Sequence, residues 1–431
     1  MDAKLPTQPY KGTRDFYPQD MRLRNWFFGK IRRTLELLAY DEYGGPMVEP
    51  FSIYAAKSGG ELAGEQTYHF TDKGGREVAI RPEMTPTAAR LVAARINELS
   101  FPVKWFSIPN LYRYERPQRG RLREHWQVNV DIFGCETQEA DIEIIQCAAM
   151  LMLAYGADET MFRVHVCNRR YFQDAVASTC RCGSEGAAAI SKIVDRRAKV
   201  ARSVFEEELA KAGLSAEEAA RLEKFFGMGV DEAVAALPES AGARELAELF
   251  GGLRAAGLDR FCEFDFSVVR GLDYYTGTVF EVFDLDPANN RAMFGGGRYD
   301  DLVGMFVGNR AVPGVGFGFG DVTLENFLAT HGLVPAGLGG ERKAMVLRLA
   351  GTPYAECARV AAELRAAGIP CSVFLGDKKA GKQIEHALKE GFTHVVFLGD
   401  DEACRGVAKV KDLASRVEAE APLGRLAEAF A

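Results

Sequence analysis

Apolar and polar positions alternate along the chain with two periods, and the places where the period changes divide it. Leu23, Trp26/Phe27, Ile31, Leu35 and Leu38 recur at helical spacing, with Arg22, Arg24, Lys30, Arg32 and Arg33 between them. Asp20 is placed to cap this element and Gly44-Gly45-Pro46 to stop it, which predicts one amphipathic helix of about twenty residues. Short β-like runs follow at 66–71, 76–81, 103–108, 111–115 and 126–133. Asp72-Lys73-Gly74-Gly75 joins the first two as a hairpin, and helical patterns intervene at 84–98 and 138–155. Strands bunched with few helices between them predict an antiparallel sheet.

After residue 180 the composition shifts to Ala, Glu, Leu, Arg and Lys with almost no β-branched runs, and Ser215-Ala-Glu-Glu218 is a capping box. A helical insertion at about 180–260 is therefore expected. β character returns at 261–283, followed by a glycine-heavy stretch at 295–320. Beyond Pro335-Ala-Gly-Leu-Gly-Gly340 the pattern runs strand 344–349, helix 353–367, strand 371–375, helix 380–390, strand 393–398. That alternation predicts a small parallel α/β domain. The expected class is α+β, with domains at 1–335 and 342–431.

The 431 residues are long enough for about two to four domains. A net charge of −7 argues against a protein that coats DNA, although Lys104–His125 carries six Lys/Arg against two Asp/Glu. Nine scattered cysteines, an odd number, suit a reducing cytosol, and a lone Cys180-Arg-Cys182 is a poor zinc signal. No metal site is expected. No apolar h-region opens the chain and no apolar run of about 18 residues occurs, so neither secretion nor a membrane span is expected.

Chemistry concentrates in three clusters. Arg113, Arg116, Arg119, Arg121 and Arg123 crowd a Pro/Gly loop between two strand-like runs. Either they grip phosphate or carboxylate through bidentate guanidinium contacts, or they form a solvated basic hairpin. Gln127, Asn129 and Asp131 share one strand face beyond the loop. In Arg81-Pro-Glu83-Met84-Thr85-Pro86, Glu83 and Thr85 either receive an ammonium group or begin a helix with Thr85 as its cap. In Arg270-Gly-Leu-Asp-Tyr274-Tyr275, two tyrosines beside an arginine either wall a flat polar ligand or pack within a sheet. Glycines at 314, 316, 318 and 320 satisfy no nucleotide-loop fingerprint. Glycine at every second strand position instead lets a ligand approach the backbone.

Taken in order, these clusters resemble the class II aminoacyl-tRNA synthetases, most closely the histidyl-tRNA synthetase family. Helix 20–40 resembles motif 1, RYERPQRGRLREHWQVNVDIFG resembles motif 2, and VRGLDYYTGTVFE with GGGRYDDL resembles the two histidine-specific signatures. The resemblance implies an antiparallel catalytic sheet with a helical insertion, a C-terminal anticodon-binding domain and a homodimer. It also implies activation of L-histidine with ATP and Mg²⁺, then transfer to tRNA(His), in the cytoplasm. Carried over position by position, Glu83, Met84, Thr85, Arg113, Gln127, Asp131, Arg270, Tyr274 and Tyr275 bind histidine. Arg113, Glu115 and Arg121 bind ATP, Arg113 and Arg270 are catalytic, and Arg116, Gln118 and Arg119 meet the tRNA acceptor end.

Two positions depart from the family pattern. Met84 stands where Gly is commoner. Thr323 stands where class II enzymes carry an arginine on ATP, which leaves that contact to another residue or makes ATP binding weaker. Two competing readings are a non-catalytic, histidine-sensing regulatory subunit of ATP phosphoribosyltransferase and a tRNA-binding scaffold that has lost catalysis. Glu83, the intact RYERPQ loop and the domain after 342 speak against the sensor.

Overall fold

The computed structural model describes residues 5–55, 64–180, 184–197, 200–269, 275–289, 291–308, 310–338, 342–349 and 351–430. The chain divides into two compact units, 1–16 with 27–334 and 17–26 with 335–431.

The first helix spans Pro18–Leu37. It begins earlier than the sequence predicts: Asp20 lies in the first turn and its carboxylate accepts the Tyr17 N–H at 2.8 Å, with Pro18 in the first helical position. It also ends earlier. Ala39 adopts a left-handed φ of 58°, and the Tyr40 N–H reaches back to the Leu35 carbonyl at 3.0 Å. That termination is independent of the glycines at 44–45.

The larger unit is built on a sheet of nine strands among the described residues. They are β1 (Asp41–Glu42), β5 (Val103–Ser107), β6 (Asn110–Tyr112), β7 (Glu124–Phe133), β8 (Phe162–Asn168), β9 (Cys262–Phe264), β10 (Thr278–Asp284), β11 (Ala292–Arg298) and β12 (Gly314–Gly320). Their order is β1-β5-β7-β12-β11-β10-β8-β9, with β6 on the end of β7. The expected antiparallel pairing holds through the middle, whereas the edge pairs β1/β5 and β8/β9 are parallel. The predicted hairpin forms from β3 (Tyr68–Thr71) and β4 (Glu77–Ile80), with β2 (Val48–Pro50) on the other side of β4.

Register separates the two faces of this sheet. Phe106, Val128, Val130, Val315, Phe319, Phe280 and Val164 fall on one face and are buried. Helix Glu139–Leu153 packs on β7 and β12 there through Ile144, Ile145, Ala148 and Leu151. Each such Val, Ile, Leu or Phe side chain contributes roughly 1.5–3 kcal/mol by burial. The other face carries Gln127, Asn129 and Asp131 on β7, with Gly316 and Gly318 beside them on β12. Helices Ser184–Arg196, Arg202–Lys211, Ala216–Glu223, Val230–Ala236 and Ala241–Ala255 occupy the stretch expected to be a helical insertion. Ser215 and Glu218 form the reciprocal cap that the sequence indicates.

In the second unit β13 (Ala344–Val346) lies between β14 (Cys371–Val373) and β15 (His394–Phe397), parallel to both. Ala344 and Val346 face a core that includes Val360 and Leu364 of helix Tyr354–Ala366. Met345 and Leu347 face the opposite core, with Ala387 of helix Ala380–Lys389. The sheet then continues antiparallel through β16 (Val407–Asp412) and β17 (Glu418–Pro422). The purely parallel expectation is thus corrected to a mixed sheet.

One buried ion pair joins the sheet to the helix beneath it. Arg298, at the end of β11, bonds Asp141 of helix Glu139–Leu153, and their side chains are 3% and 0% exposed. The same guanidinium donates to the carbonyls of Cys135 and Thr137, each at 3.0 Å. Removing one partner leaves a buried, uncompensated charge, so Arg298→Met is expected to cost about 3–5 kcal/mol. Urea denaturation of the larger unit measures this, and a loss below about 1 kcal/mol would show that the pair is dispensable.

Candidate active site

The site lies on the polar face of the sheet. Glu83 and Thr85 arrive from the turn that starts helix Thr85–Ala94, where Met84 rather than Thr85 is the cap residue. Arg113 follows β6, and its Nε donates to the Pro82 carbonyl at 2.8 Å, tying the arginine loop to the Glu83 turn. Glu83, Thr85, Arg113, Gln127, Asn129 and Tyr275 line one cavity of about 90 Å³, together with Tyr299, Gly316 and Gly318. Five of the residues predicted from sequence to meet histidine are thereby brought together. Met84 is fully buried and does not line the cavity. Arg270 and Tyr274 lie outside the described residues.

Asp131 does not line the cavity itself but lies behind two residues that do, Tyr299 and Gly316, and is 1% exposed. Its Oδ1 accepts the Tyr299 hydroxyl, and its buried Oδ2 has no hydrogen-bond partner among the described residues. Burial pushes its carboxyl up to about 7, although the Tyr299 hydroxyl opposes the shift. Packing this close requires glycine on the neighbouring strand. A Cβ on Gly316 would lie 2.4 Å from Asp131 Oδ1, and one on Gly318 would lie 2.6 Å from Gln127 Nε2. Such a site suits a small molecule with a cationic or N–H-bearing end against Asp131 and an ammonium near Glu83.

A second cavity of about 470 Å³ is lined by Glu65, Gln66, Tyr114, Glu115, Arg116, Gln118 and Arg121. Arg121 pairs with Glu115 at 3.0 Å. Gln118 accepts from Arg291 at 3.1 Å, and Arg119 donates to Asn289 at 3.0 Å. The residues predicted for ATP and for the acceptor end therefore cluster around one loop, with Arg113 turned into the smaller cavity.

Two residues that line the cavity, Tyr299 and Asn129, escape the sequence reading, as do His125 and Arg14, which line neither cavity. Tyr299 lies in the GGGRYDDL segment, but only sheet pairing shows that it reaches Asp131. Asn129 carries the same sequence signal as Gln127 and Asp131, being on their strand face, but alternation alone does not assign it a role. His125 continues that same face. Arg14, far away in sequence, bonds Asp321 at 2.8 Å.

The histidyl-tRNA synthetase family profile matches residues 12–321, and an anticodon-binding domain profile matches 343–431. The chain belongs to the histidyl-tRNA synthetase family. A histidine–tRNA ligase of Leptospira biflexa is 42% identical over 421 residues, covering 96% of this chain and 95% of that protein. A crystal structure of histidyl-tRNA synthetase from Nostoc superposes with a TM-score of 0.83 at 24% identity, covering 99% of each chain. A Bacillus halodurans structure described as an ATP phosphoribosyltransferase regulatory subunit/histidyl-tRNA synthetase gives 0.75 at 21% identity, over 92% of this chain and 99% of that one. At these identities the two structures establish the fold alone. No helix among the described residues of this family member is long and apolar enough to cross a membrane.

Asp131 supplies a pH test. The folded carboxyl holds its proton up to about 7, whereas in an unfolded chain it releases it near ~4. The folded state binds more protons in that window, so this group's stabilising share is full in acid and is lost as pH rises through about 7. Asp131→Asn, which stays uncharged, is expected to raise the Tm of the ligand-free protein more at pH 8 than at pH 6. It is also expected to raise KM for histidine at least ~10-fold. An equal Tm change at both pH values would show that the carboxyl does not titrate there.

Proposed function

We propose that this chain is a histidine–tRNA ligase that activates L-histidine with ATP and transfers it to the 3′ end of tRNA(His). The observation that carries the reading is one small cavity lined by Glu83, Thr85, Gln127, Tyr275, Arg113 and Tyr299, with Asp131 bonded to the Tyr299 hydroxyl behind it. Glu83, Thr85 and Gln127 take the ammonium group. Asp131, Tyr299 and Tyr275 take the imidazole, with Tyr274 assigned there from sequence. Recognition by paired polar contacts rejects apolar lookalikes, because a wrong ligand leaves buried groups unpaired.

Arg113 bridges the histidine carboxylate and the α-phosphate, and Arg270 approaches that phosphate on the strength of its sequence match. A carboxylate oxygen attacks the α-phosphorus in line and pyrophosphate departs with the bonding pair. Preorganised guanidiniums stabilise the charge that develops, and Mg²⁺ accompanies ATP as part of the substrate. Glu115 and Arg121 hold ATP once their mutual ion pair opens. The terminal ribose hydroxyl of tRNA then attacks the histidyl carbonyl and releases AMP, with Arg116, Gln118 and Arg119 at the acceptor end. Residues 1–335 form the catalytic domain and 342–431 the anticodon-binding domain. The working form is a homodimer in the cytoplasm, a compartment that free cysteines suit.

The regulatory-subunit reading is disfavoured by Glu83 and Arg113 facing the same cavity and by the anticodon-binding match over 343–431. The test is histidine-dependent ATP–pyrophosphate exchange, followed by charging of tRNA(His). Wild type is expected to do both, and Arg113→Ala is expected to lower kcat for exchange by about 10²–10³. A wild-type protein that binds histidine without exchange would sink the enzyme reading in favour of a sensor.

A further inference from the structure

Tyr275 and Tyr299 both line the smaller cavity, and their ring centroids lie 6.4 Å apart. They come from separate segments, one ahead of β10 and the other just past β11, where the strands themselves have ended. The next residue of each segment holds the two together. The Thr276 hydroxyl donates to Asp300 Oδ2 at 2.7 Å, and the Asp300 N–H returns to the Thr276 oxygen at 3.2 Å. The Thr276 N–H also donates to the Arg298 carbonyl at 2.7 Å, which carries the pairing of β10 and β11 one step further. A hydroxyl has one hydrogen and two lone pairs; this one gives its hydrogen to a carboxylate and accepts a peptide N–H.

The Asp300 carboxylate is placed from two further directions. Arg298 Nη1 lies 3.3 Å from Asp300 Oδ1, and that guanidinium is fixed by Asp141 and by the carbonyls of Cys135 and Thr137. Arg170 Nη2 lies 3.6 Å from Asp300 Oδ2. Arg170 also bonds Glu245 of helix Ala241–Ala255, whose other oxygen accepts the Asn168 amide at 2.7 Å. Asn168 is 0% exposed, and its side-chain oxygen caps helix Arg169–Thr179 by accepting the N–H groups of Arg170 and Tyr171. The insertion helix has no slack at this point, since a Cβ on Gly242 would lie 2.1 Å from the Tyr171 nitrogen. A chain of contacts therefore runs from the helical insertion through Glu245, Arg170 and Asp300 to Thr276, the neighbour of Tyr275. The Arg170 side chain is 44% exposed, so water screens that arm and the bond between Thr276 and Asp300 is the stronger part.

Neither Thr276 nor Asp300 lines the cavity. Their effect passes through the two tyrosines beside them. Paired polar contacts discriminate only while the groups that make them stay within a fraction of an ångström of their places. The Tyr299 hydroxyl is held by Asp131 at its far end, and the clamp holds its backbone against that of Tyr275. We infer that Thr276 and Asp300 are positioning residues for the amino-acid end of the site, locking Tyr275 against Tyr299 and so setting the shape of the cavity that takes histidine. The inference rests on the reading of this cavity as the histidine site.

The test is calorimetric titration of the full chain with histidine and with ATP separately, with Tm and ATP–pyrophosphate exchange measured on the same samples. Thr276→Val removes the hydroxyl at nearly constant shape, Thr276→Ser keeps it, and Asp300→Ala removes the acceptor. Expected is a histidine Kd raised about 10-fold in Thr276→Val and Asp300→Ala and within about 2-fold of wild type in Thr276→Ser, with ATP Kd within about 2-fold throughout. Should Asp300→Ala not fold, the two Thr276 variants decide. An unchanged histidine Kd in Thr276→Val overturns the inference. Equal losses for histidine and ATP also overturn it, by showing a general support of the fold, and so does an equal loss in Thr276→Ser, by showing that the hydroxyl is not the cause. A wild type that binds histidine without exchange removes the ligase reading and leaves the Kd values to judge the clamp, whereas a wild type that binds no histidine removes both.

Discussion

A side chain can lie flat across a β-sheet only where the next strand has none of its own. On the polar face of this sheet Asp131 and Gln127 lean over Gly316 and Gly318, whose absent Cβ atoms would fall inside van der Waals contact. Much of the site follows from that clearance. It draws the Asp131 carboxylate under cover, where it loses hydration and keeps its proton to near neutrality. It lets Tyr299 reach across β12 to meet that carboxylate. It also brings the polar side chains of β7 close to the backbone of β12, which is what selection by paired polar contacts requires.

The two faces divide the work. The apolar face anchors β7, β12 and helix Glu139–Leu153 by burial, with the Arg298–Asp141 pair set into it. The polar face carries unbalanced electrostatics: a carboxylate whose second oxygen has no donor among the described residues, and the His125 imidazole, held neutral by burial and, secondly, by nearby cations. Groups of that kind cost stability, which is the usual relation between a site and its scaffold.

The parts legible in the sequence are those set by local period and local chemistry. The row Gln127–Asn129–Asp131 follows from alternation alone, and the glycine pattern of β12 announced a close backbone approach. The Ser215 cap and the hairpin at 72–75 are equally local. What escaped depends on contacts between distant segments. Arg14 and Asp321 are 307 positions apart, and nothing local in either stretch points to the other. Strands β16 and β17 were missed because Lys and Glu alternate along them with few large apolar residues, and their exposed pairs such as Lys411–Glu418 look like solvated loop. The end of the first helix was missed because a non-glycine residue, Ala39, takes the left-handed position.

The parallel edges of the large sheet have a consequence of another kind. β1 is two residues long and both are acidic, and β9 is three residues long with an exposed Glu263 at its centre. A broad sheet that ended on a long apolar strand would offer a row of unpaired amides and carbonyls to any passing chain. Here each border is short and negatively charged, so an incoming strand would gain few hydrogen bonds and meet like charge in the next copy of the protein. The fold can therefore carry a glycine-rich sheet without its borders acting as a template for aggregation.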